Sequence, residues 1–330
     1  MTVTRNIPPI FMFGFERSGT TLLSMITGAH PDLAVPLSVT GLWFVYGNKL
    51  GGYNHLGSAA DIEKLIDDLL QEERIRLWDV EFTREEVLAN LAGSSYGDVV
   101  GAFHRTYAQR KGKPWWGNLD IATLDNMEKV NRWFPDARFI HIVRDGRDVS
   151  LSHETMPYGA SNTLECAQKW RERLYTNLKM GELLGDERYF VLRYEDLVLD
   201  PENSLRRMCE FMGLDYSQGM LEYPDMVGQK VPEDKKWLWP ALDKPLQSSK
   251  CFGWKTKMDT KRRLVFEDEA GAMLKRLGYE VNGTASKNFL AHCYELWCFL
   301  GRGGRFRRLK KRFGFTHVSK LEKDWSTKKS

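Results

Sequence analysis

Apolar residues along this chain follow two alternating patterns. Residues 10–15 (IFMFGF) form a short, nearly continuous apolar run that leads into glycine-rich sequence, and residues 20–27 carry Leu22, Leu23 and Ile26 at helical spacing. A buried strand followed by a helix is the expected pair. Residues 138–143 (RFIHIV) and 189–192 (YFVL) are two more strand-like runs. Helical patterns cover residues 164–184, residues 201–212 with Pro201 in the first turn, and residues 261–277, which Gly278 follows. Proline at a helix start and glycine just past its end mark such boundaries. Strands alternating with helices call for parallel βαβ units, so the pattern predicts an α/β fold of three layers, a central parallel sheet flanked by helices. In such a sheet ligands bind beyond the carboxyl ends of the strands, where the loops after Phe13 and Val143 lie.

Composition narrows this picture without changing it. The chain has 330 residues, 42% hydrophobic and 28% charged, enough for a large ordinary core. Its opening residues lack the basic and apolar regions of a secretory signal, and no stretch approaches the ~18 uninterrupted apolar residues of a membrane span, so a cytoplasmic protein is expected. Five scattered cysteines without a C-x-x-C pair suggest reduced thiols and no zinc site. Charge divides the chain. Residues 283–330 hold twelve Lys or Arg against three acidic residues, while the whole chain is formally +4. Residues 1–282 are therefore read as the folded domain and 283–330 as a basic tail. Within that tail an apolar, aromatic segment, residues 288–300, precedes Arg302, Arg305, Arg307, Arg308, Lys310, Lys311 and Arg312. Such a segment either lies as a peripheral helix on an anionic membrane surface or docks on the core. No nucleic-acid module accompanies it, so no nucleic-acid partner is expected.

The most informative stretch is the loop Gly14-Phe15-Glu16-Arg17-Ser18-Gly19-Thr20-Thr21. It has the glycine spacing and final hydroxyl of a phosphate-binding P-loop, G-x-x-x-x-G-K-[ST], with Thr20 in the place of the lysine. Backbone N–H groups and the positive end of the following helix still cradle a dianion, because they need only the path that the two glycines permit. Arg17 offers the replacement charge.

The second loop speaks against a nucleoside triphosphatase, since residues 138–143 are followed by Arg144 where an acidic metal-holding residue is needed. In Arg144-Asp145-Gly146-Arg147-Asp148-Val149-Ser150-Leu151-Ser152 the carboxylates alternate with arginines and are expected to pair with them, Arg147 and Asp148 as a solvated cluster. Arg144 with Ser152 makes a second anion site. Two anion sites and no metal cradle call for a ligand with two separate anionic groups.

Together these stretches resemble the sulfotransferases that use 3′-phosphoadenosine 5′-phosphosulfate (PAPS), whose fold is of P-loop type. The loop from Phe13 to Leu22 looks like their 5′-phosphosulfate loop, and Ile142 to Val149 with Ser152 looks like their 3′-phosphate motif. Leu192-Arg193-Tyr194-Glu195-Asp196-Leu197 and Gly253-Trp254-Lys255 are similar to the later segments. The resemblance implies that Arg17, Ser18, Gly19, Thr20 and Thr21 hold the 5′-phosphosulfate, and that Arg144 and Ser152 hold the 3′-phosphate. It places Tyr194 against the adenine or against the loop, and Trp254 and Lys255 over the nucleotide. PAPS is then the co-substrate, no metal is required, and Arg17 stabilises the sulfuryl oxygens in a loose in-line displacement.

The base that takes the acceptor's proton departs from the family pattern. Leu119, in Trp116-Gly117-Asn118-Leu119-Asp120-Ile121, stands where many relatives carry a lysine. Asp120 is the leading candidate, with Glu16, His55 and Glu81 behind it. The acceptor is expected to be a small molecule, carbohydrate or lipid. The spelling of the P-loop resembles the bacterial and carbohydrate-acting branch, and aromatic residues between 41 and 114 suit a sugar, a glycolipid or another large hydroxyl acceptor. Two other classes remain open at this level: a PAPS-binding scaffold without activity, and a P-loop kinase or GTPase.

Overall fold

The computed structural model describes residues 8–36, 42–154, 160, 162–225 and 244–281. The basic tail and its membrane-surface reading lie outside the described residues. Among the described residues no helix is long and apolar enough to cross a membrane. These residues form two compact units, one made of the chain up to Asp145 with Glu172–Gly253, the other of Gly146–Arg171 with the residues from Trp254 onward.

The first unit holds a parallel five-stranded sheet, in the order β2-β3-β1-β4-β5. Its strands are β1 (Ile10–Gly14), β2 (Leu33–Ala34), β3 (Trp115–Leu119), β4 (Arg138–Val143) and β5 (Tyr189–Arg193). Strand β1 is buried along its whole length because β3 pairs with one of its edges and β4 with the other. The expected three-layer α/β fold is therefore the observed one.

Side-chain alternation sorts the two faces of this sheet by chemistry. Ile10, Met12, Ile140 and Ile142 join an aliphatic cluster with Leu23 and Ile26 of α1 (Thr20–Gly28) and with Leu205, Met208 and Met212 further along the chain. The other face is aromatic: Phe11 packs on Phe139 and Phe134, and Phe13 stacks on His141 with ring centres 4.7 Å apart.

Between β2 and β3 the chain is mostly helical, where the sequence read only as aromatic and glycine-rich. It forms α2 (Leu42–Gly47), α3 (Ala59–Gln71), α4 (Glu73–Arg76), α5 (Arg84–Ala89) and α6 (Tyr96–Arg110). Thr83 and Ser95 start the last two through reciprocal capping boxes with Glu86 and Asp98. Strand β3 escaped the pattern reading because WWGNL is neither branched nor alternating. Gly117 suits the pairing, since a Cβ there would come within 3.3 Å of the Ile10 carbonyl oxygen. The unit continues through α7 (Met127–Trp133), and after β5 through α10 (Tyr194–Leu199) and α11 (Pro201–Met212), which Gly213 ends at φ 77°.

The second unit contains α8 (Gly146–Glu154), the start of α9 (Thr163–Leu184), α12 (Trp254–Lys257) and α13 (Thr260–Arg276). Its centre corrects an expectation. Arg147 and Asp148 are not a solvated cluster: Arg147 is 1% exposed, donates to Glu267 at 2.7 Å and lies 3.5 Å from the centre of the Trp254 ring. Asp148 accepts from the Trp254 backbone N–H at 2.7 Å. A buried ion pair of this kind is costly to break from one side, by about 3–5 kcal/mol, because the partner charge stays buried. Arg147 and Asp148 thus tie α8 to α12 and α13.

Two buried histidines give the first unit an acid sensitivity. His104 on α6 accepts from the Asn118 side-chain amide at 3.0 Å, and His141 on β4 shares a hydrogen bond of 2.6 Å with the Tyr189 hydroxyl. Desolvation pushes each ring from the ordinary 6.5 down to about 3, so both are neutral when folded and take up protons when unfolded. Stability is therefore full above pH 6.5 and falls as pH drops toward 3, each ring contributing up to ~1.4 kcal/mol per pH unit. Urea unfolding at pH 7 and pH 5 should show this decline, and His104→Gln should make it shallower.

Candidate functional site

The first unit builds its site at the carboxyl end of β1. Phe13 pairs with His141 and Gly14 with Ile142, so the loops after β1 and β4 leave the same edge of the sheet. The chain passes from β3 on one side of β1 to β4 on the other, the switch point at which such sheets bind ligands. Gly14 is required there, because a Cβ would lie 2.5 Å from the Ile142 carbonyl oxygen.

The loop from Gly14 to Thr21 bends through two left-handed residues, Arg17 at φ 70° and Gly19 at φ 96°. Ser18 N–H closes a turn on the Phe15 carbonyl at 3.1 Å, and Leu23 N–H makes the first helical bond of α1, to Gly19, at 3.0 Å. No side chain caps α1. Ser18 is fully buried, and its hydroxyl has no hydrogen-bond partner among the described residues. A buried hydroxyl left in that state costs about 1–3 kcal/mol, so the loop is suited to a ligand that accepts from it. Left-handed turns of this kind direct N–H groups to one concave side, and the helix dipole adds positive potential. The donor set fits a phosphate or sulfate group.

Three further elements converge on this loop. Arg144, just past β4, donates to the Arg17 carbonyl at 3.1 Å and to the Lys250 carbonyl at 2.7 Å. Its guanidinium lies 4.6 Å from the centre of the Tyr194 ring. Tyr194, at the start of α10, presses on Gly19 so closely that a Cβ there would come 2.6 Å from Tyr194 Cδ2. Tyr194 thus packs directly on the phosphate loop at Gly19. Glu195, fully buried, accepts from the Asp145 N–H at 3.0 Å and fixes the backbone after Arg144. On α9, Arg173 donates to both carboxylate oxygens of Glu16, at 3.0 and 3.1 Å, and to Asp125 at 2.9 Å. Neither Glu195 nor Arg173 was singled out as a site residue, because contacts across 50 and 157 positions leave no local pattern.

Thr20 is buried at the start of α1 and Thr21 half-buried beside it. Leu119 is 1% exposed and belongs to the aliphatic cluster, which explains in packing terms why no lysine stands there. Asp120, also 1% exposed, directly follows β3; its N–H bonds the Met12 carbonyl at 3.0 Å and its carboxylate accepts from Ala122 N–H at 2.8 Å. It thus has a capping task and stands beside β1. Glu16 is engaged by Arg173, while His55 and Glu81 are exposed on the helical segment. In the second unit, Ser152 is half-buried on α8, Trp254 is 3% exposed against Arg147, and Lys255 pairs with Glu280 at 3.1 Å.

A parallel sheet with a lysine-free glycine-rich loop at its switch point, flanked by a strand-end arginine, is an α/β arrangement suited to anionic ligands. The sulfotransferase family's sequence profile matches residues 8–218, and the chain belongs to that family of enzymes, which transfer sulfuryl groups. It is 26% identical over 230 residues to a protein-tyrosine sulfotransferase of Drosophila melanogaster, covering 68% of this chain and 42% of that protein. The chain thus spans somewhat under half the length of the fly relative. Protein-tyrosine sulfotransferase 1 of Danio rerio is 25% identical over 300 residues, covering 84% of this chain and 73% of that protein. Among solved structures, the sulfotransferase domain of the Synechococcus PCC 7002 olefin synthase shares the fold, with a TM-score of 0.57 at 21% identity over 84% of this chain and 97% of that one.

The contact of Tyr194 with Gly19 is measurable. Gly19→Ala should lower stability by about 1–3 kcal/mol through its left-handed backbone, and by more through the clash. In a Tyr194→Ala background the clash term vanishes, so urea unfolding of the four variants should give a smaller penalty for Gly19→Ala there.

Proposed function

We propose that this enzyme takes its sulfuryl group from PAPS and delivers it to a hydroxyl of a sugar, a glycolipid or another large acceptor. The observation that carries the co-substrate is the buried, unsatisfied Ser18 hydroxyl in a phosphate loop lacking the triphosphate-bridging lysine, with Arg144 at the next strand end. Arg17, Ser18, Gly19, Thr20 and Thr21 are proposed to hold the 5′-phosphosulfate. Arg144 is assigned to the 3′-phosphate by family resemblance, a guanidinium being suited to bidentate bonds with phosphate oxygens. By family resemblance Ser152 shares that phosphate, Trp254 and Lys255 contact the nucleotide, and no metal takes part.

In the reaction the acceptor oxygen forms a bond to sulfur while the bond from sulfur to the 5′-phosphate oxygen breaks. The acceptor's proton passes to a base, for which Asp120 is proposed. Positioned donors supply most of the acceleration in such a displacement, with Arg17 and the loop N–H groups facing the sulfuryl oxygens. The protein-tyrosine sulfotransferases that the chain is similar to favour a second reading of the acceptor, a tyrosyl hydroxyl of a protein.

Calorimetry with adenosine 3′,5′-bisphosphate in the absence of metal tests the co-substrate. Binding should be tight and weakened by Arg144→Ala; preference for ATP with Mg²⁺ would refute it. Labelled PAPS offered beside oligosaccharides, glycolipids and acidic tyrosine peptides then separates the acceptors. For the base, Asp120→Asn keeps a capping side chain. Its kcat should fall by about 10²–10⁴ with bisphosphate binding retained. Unchanged turnover would remove Asp120 from the mechanism.

A further inference from the structure

The anion cradle contains a carboxylate. Glu16 stands in the phosphate loop immediately before Arg17, and two to three peptide units separate it from Ser18 and Gly19. A negative charge so placed opposes a dianionic ligand. At roughly 8–10 Å and an effective dielectric of ~20–40, one such charge weakens binding of a dianion by about tenfold or more.

The carboxylate is clamped from outside the loop. Arg173, near the middle of α9, meets both Glu16 oxygens at 3.0 and 3.1 Å, and its other terminal nitrogen is anchored by Asp125 at 2.9 Å. The same guanidinium sits 5.7 Å from the ring centre of Phe15, a loop residue that is 1% exposed. Arg144 holds the loop from the other side through the Arg17 carbonyl. Arg17, at φ 70°, thus has an arginine contact on either side: Arg173 on the preceding Glu16, and Arg144 on its own carbonyl.

We infer that Arg173 serves the phosphosulfate loop by charge: it neutralises Glu16, so that the carboxylate inside the loop does not oppose a dianionic ligand. This rests on the proposed reading of the loop as the PAPS site. Arg173 touches no reacting atom and acts through Glu16. The pair is partly open, with side chains 31% and 33% exposed, so its electrostatic share is sensitive to salt.

The test is a charge cycle read by calorimetric binding of adenosine 3′,5′-bisphosphate and by the KM for PAPS. Arg173→Gln is expected to weaken bisphosphate binding by about tenfold at low ionic strength, and by clearly less in 0.5 M salt. The double variant Glu16→Gln with Arg173→Gln carries neither charge and should return to within about threefold of the wild type. Glu16→Gln alone, which does not depend on the Arg173 variant folding, should bind the bisphosphate at least as tightly as the wild type. A double variant as weak as Arg173→Gln, or a Glu16→Gln variant that binds more weakly, overturns the inference. Wild-type protein that binds no bisphosphate overturns the reading of the loop as well, so the two failures are distinct.

Discussion

Gly14 lies so close to β4 that a methyl group in place of its hydrogen would meet the Ile142 carbonyl oxygen at 2.5 Å. That approach lets the chain leave β1 and turn at once into the phosphate loop, directly beside the residue that follows β4. The site then assembles from three strand ends in one unit. β1 supplies the loop, β4 supplies Arg144, and β5 runs into Tyr194, which packs on Gly19 and under the Arg144 guanidinium. Arg144 closes the ring by bonding the Arg17 carbonyl. Parallel pairing is what makes this economical, since every strand end of the sheet faces the same edge.

Charge in this protein is handled by pairing, and depth decides what each pair does. Arg147 and Glu267 are almost fully removed from water, so their pairing serves to hold helices and leaves little for a ligand. Arg144, three residues earlier, is half-buried at a strand end, where backbone carbonyls occupy two of its nitrogens. Arg173 and Glu16, the latter a residue of the loop itself, are about one-third exposed. The same residue type is therefore a buried bolt between helices at one position and a partly exposed group beside the loop at two others, according to its access to solvent.

Membership of the sulfotransferase family accounts for the phosphate loop and the parallel sheet, and leaves the acceptor chemistry to this chain's own residues. At the end of β3 the chain puts Leu119 into the aliphatic core and then Asp120 at the cap of a short turn beside β1. A carboxylate held there by the Ala122 N–H is fixed in place, as the role of general base proposed for it requires.

The sequence by itself determined the α/β class, β1, β4 and the core of β5, the span of α11, and the phosphate loop with its missing lysine. These depend on short-range patterns, such as apolar runs, glycine spacing and a proline at a helix start, that the chain carries locally. Tertiary structure alone decided the rest. Strand β3 exists because WWGNL has β1 and β2 on its two sides, although its composition is poor for a strand. Arg147 and Asp148 looked like surface charges, and became buried once Glu267 and Trp254 supplied partners more than a hundred positions away. Glu195 and Arg173 act on the loops through contacts across 50 and 157 positions. A hydrogen bond or ion pair depends on distance in space, and only folding sets that distance for residues so far apart along the chain.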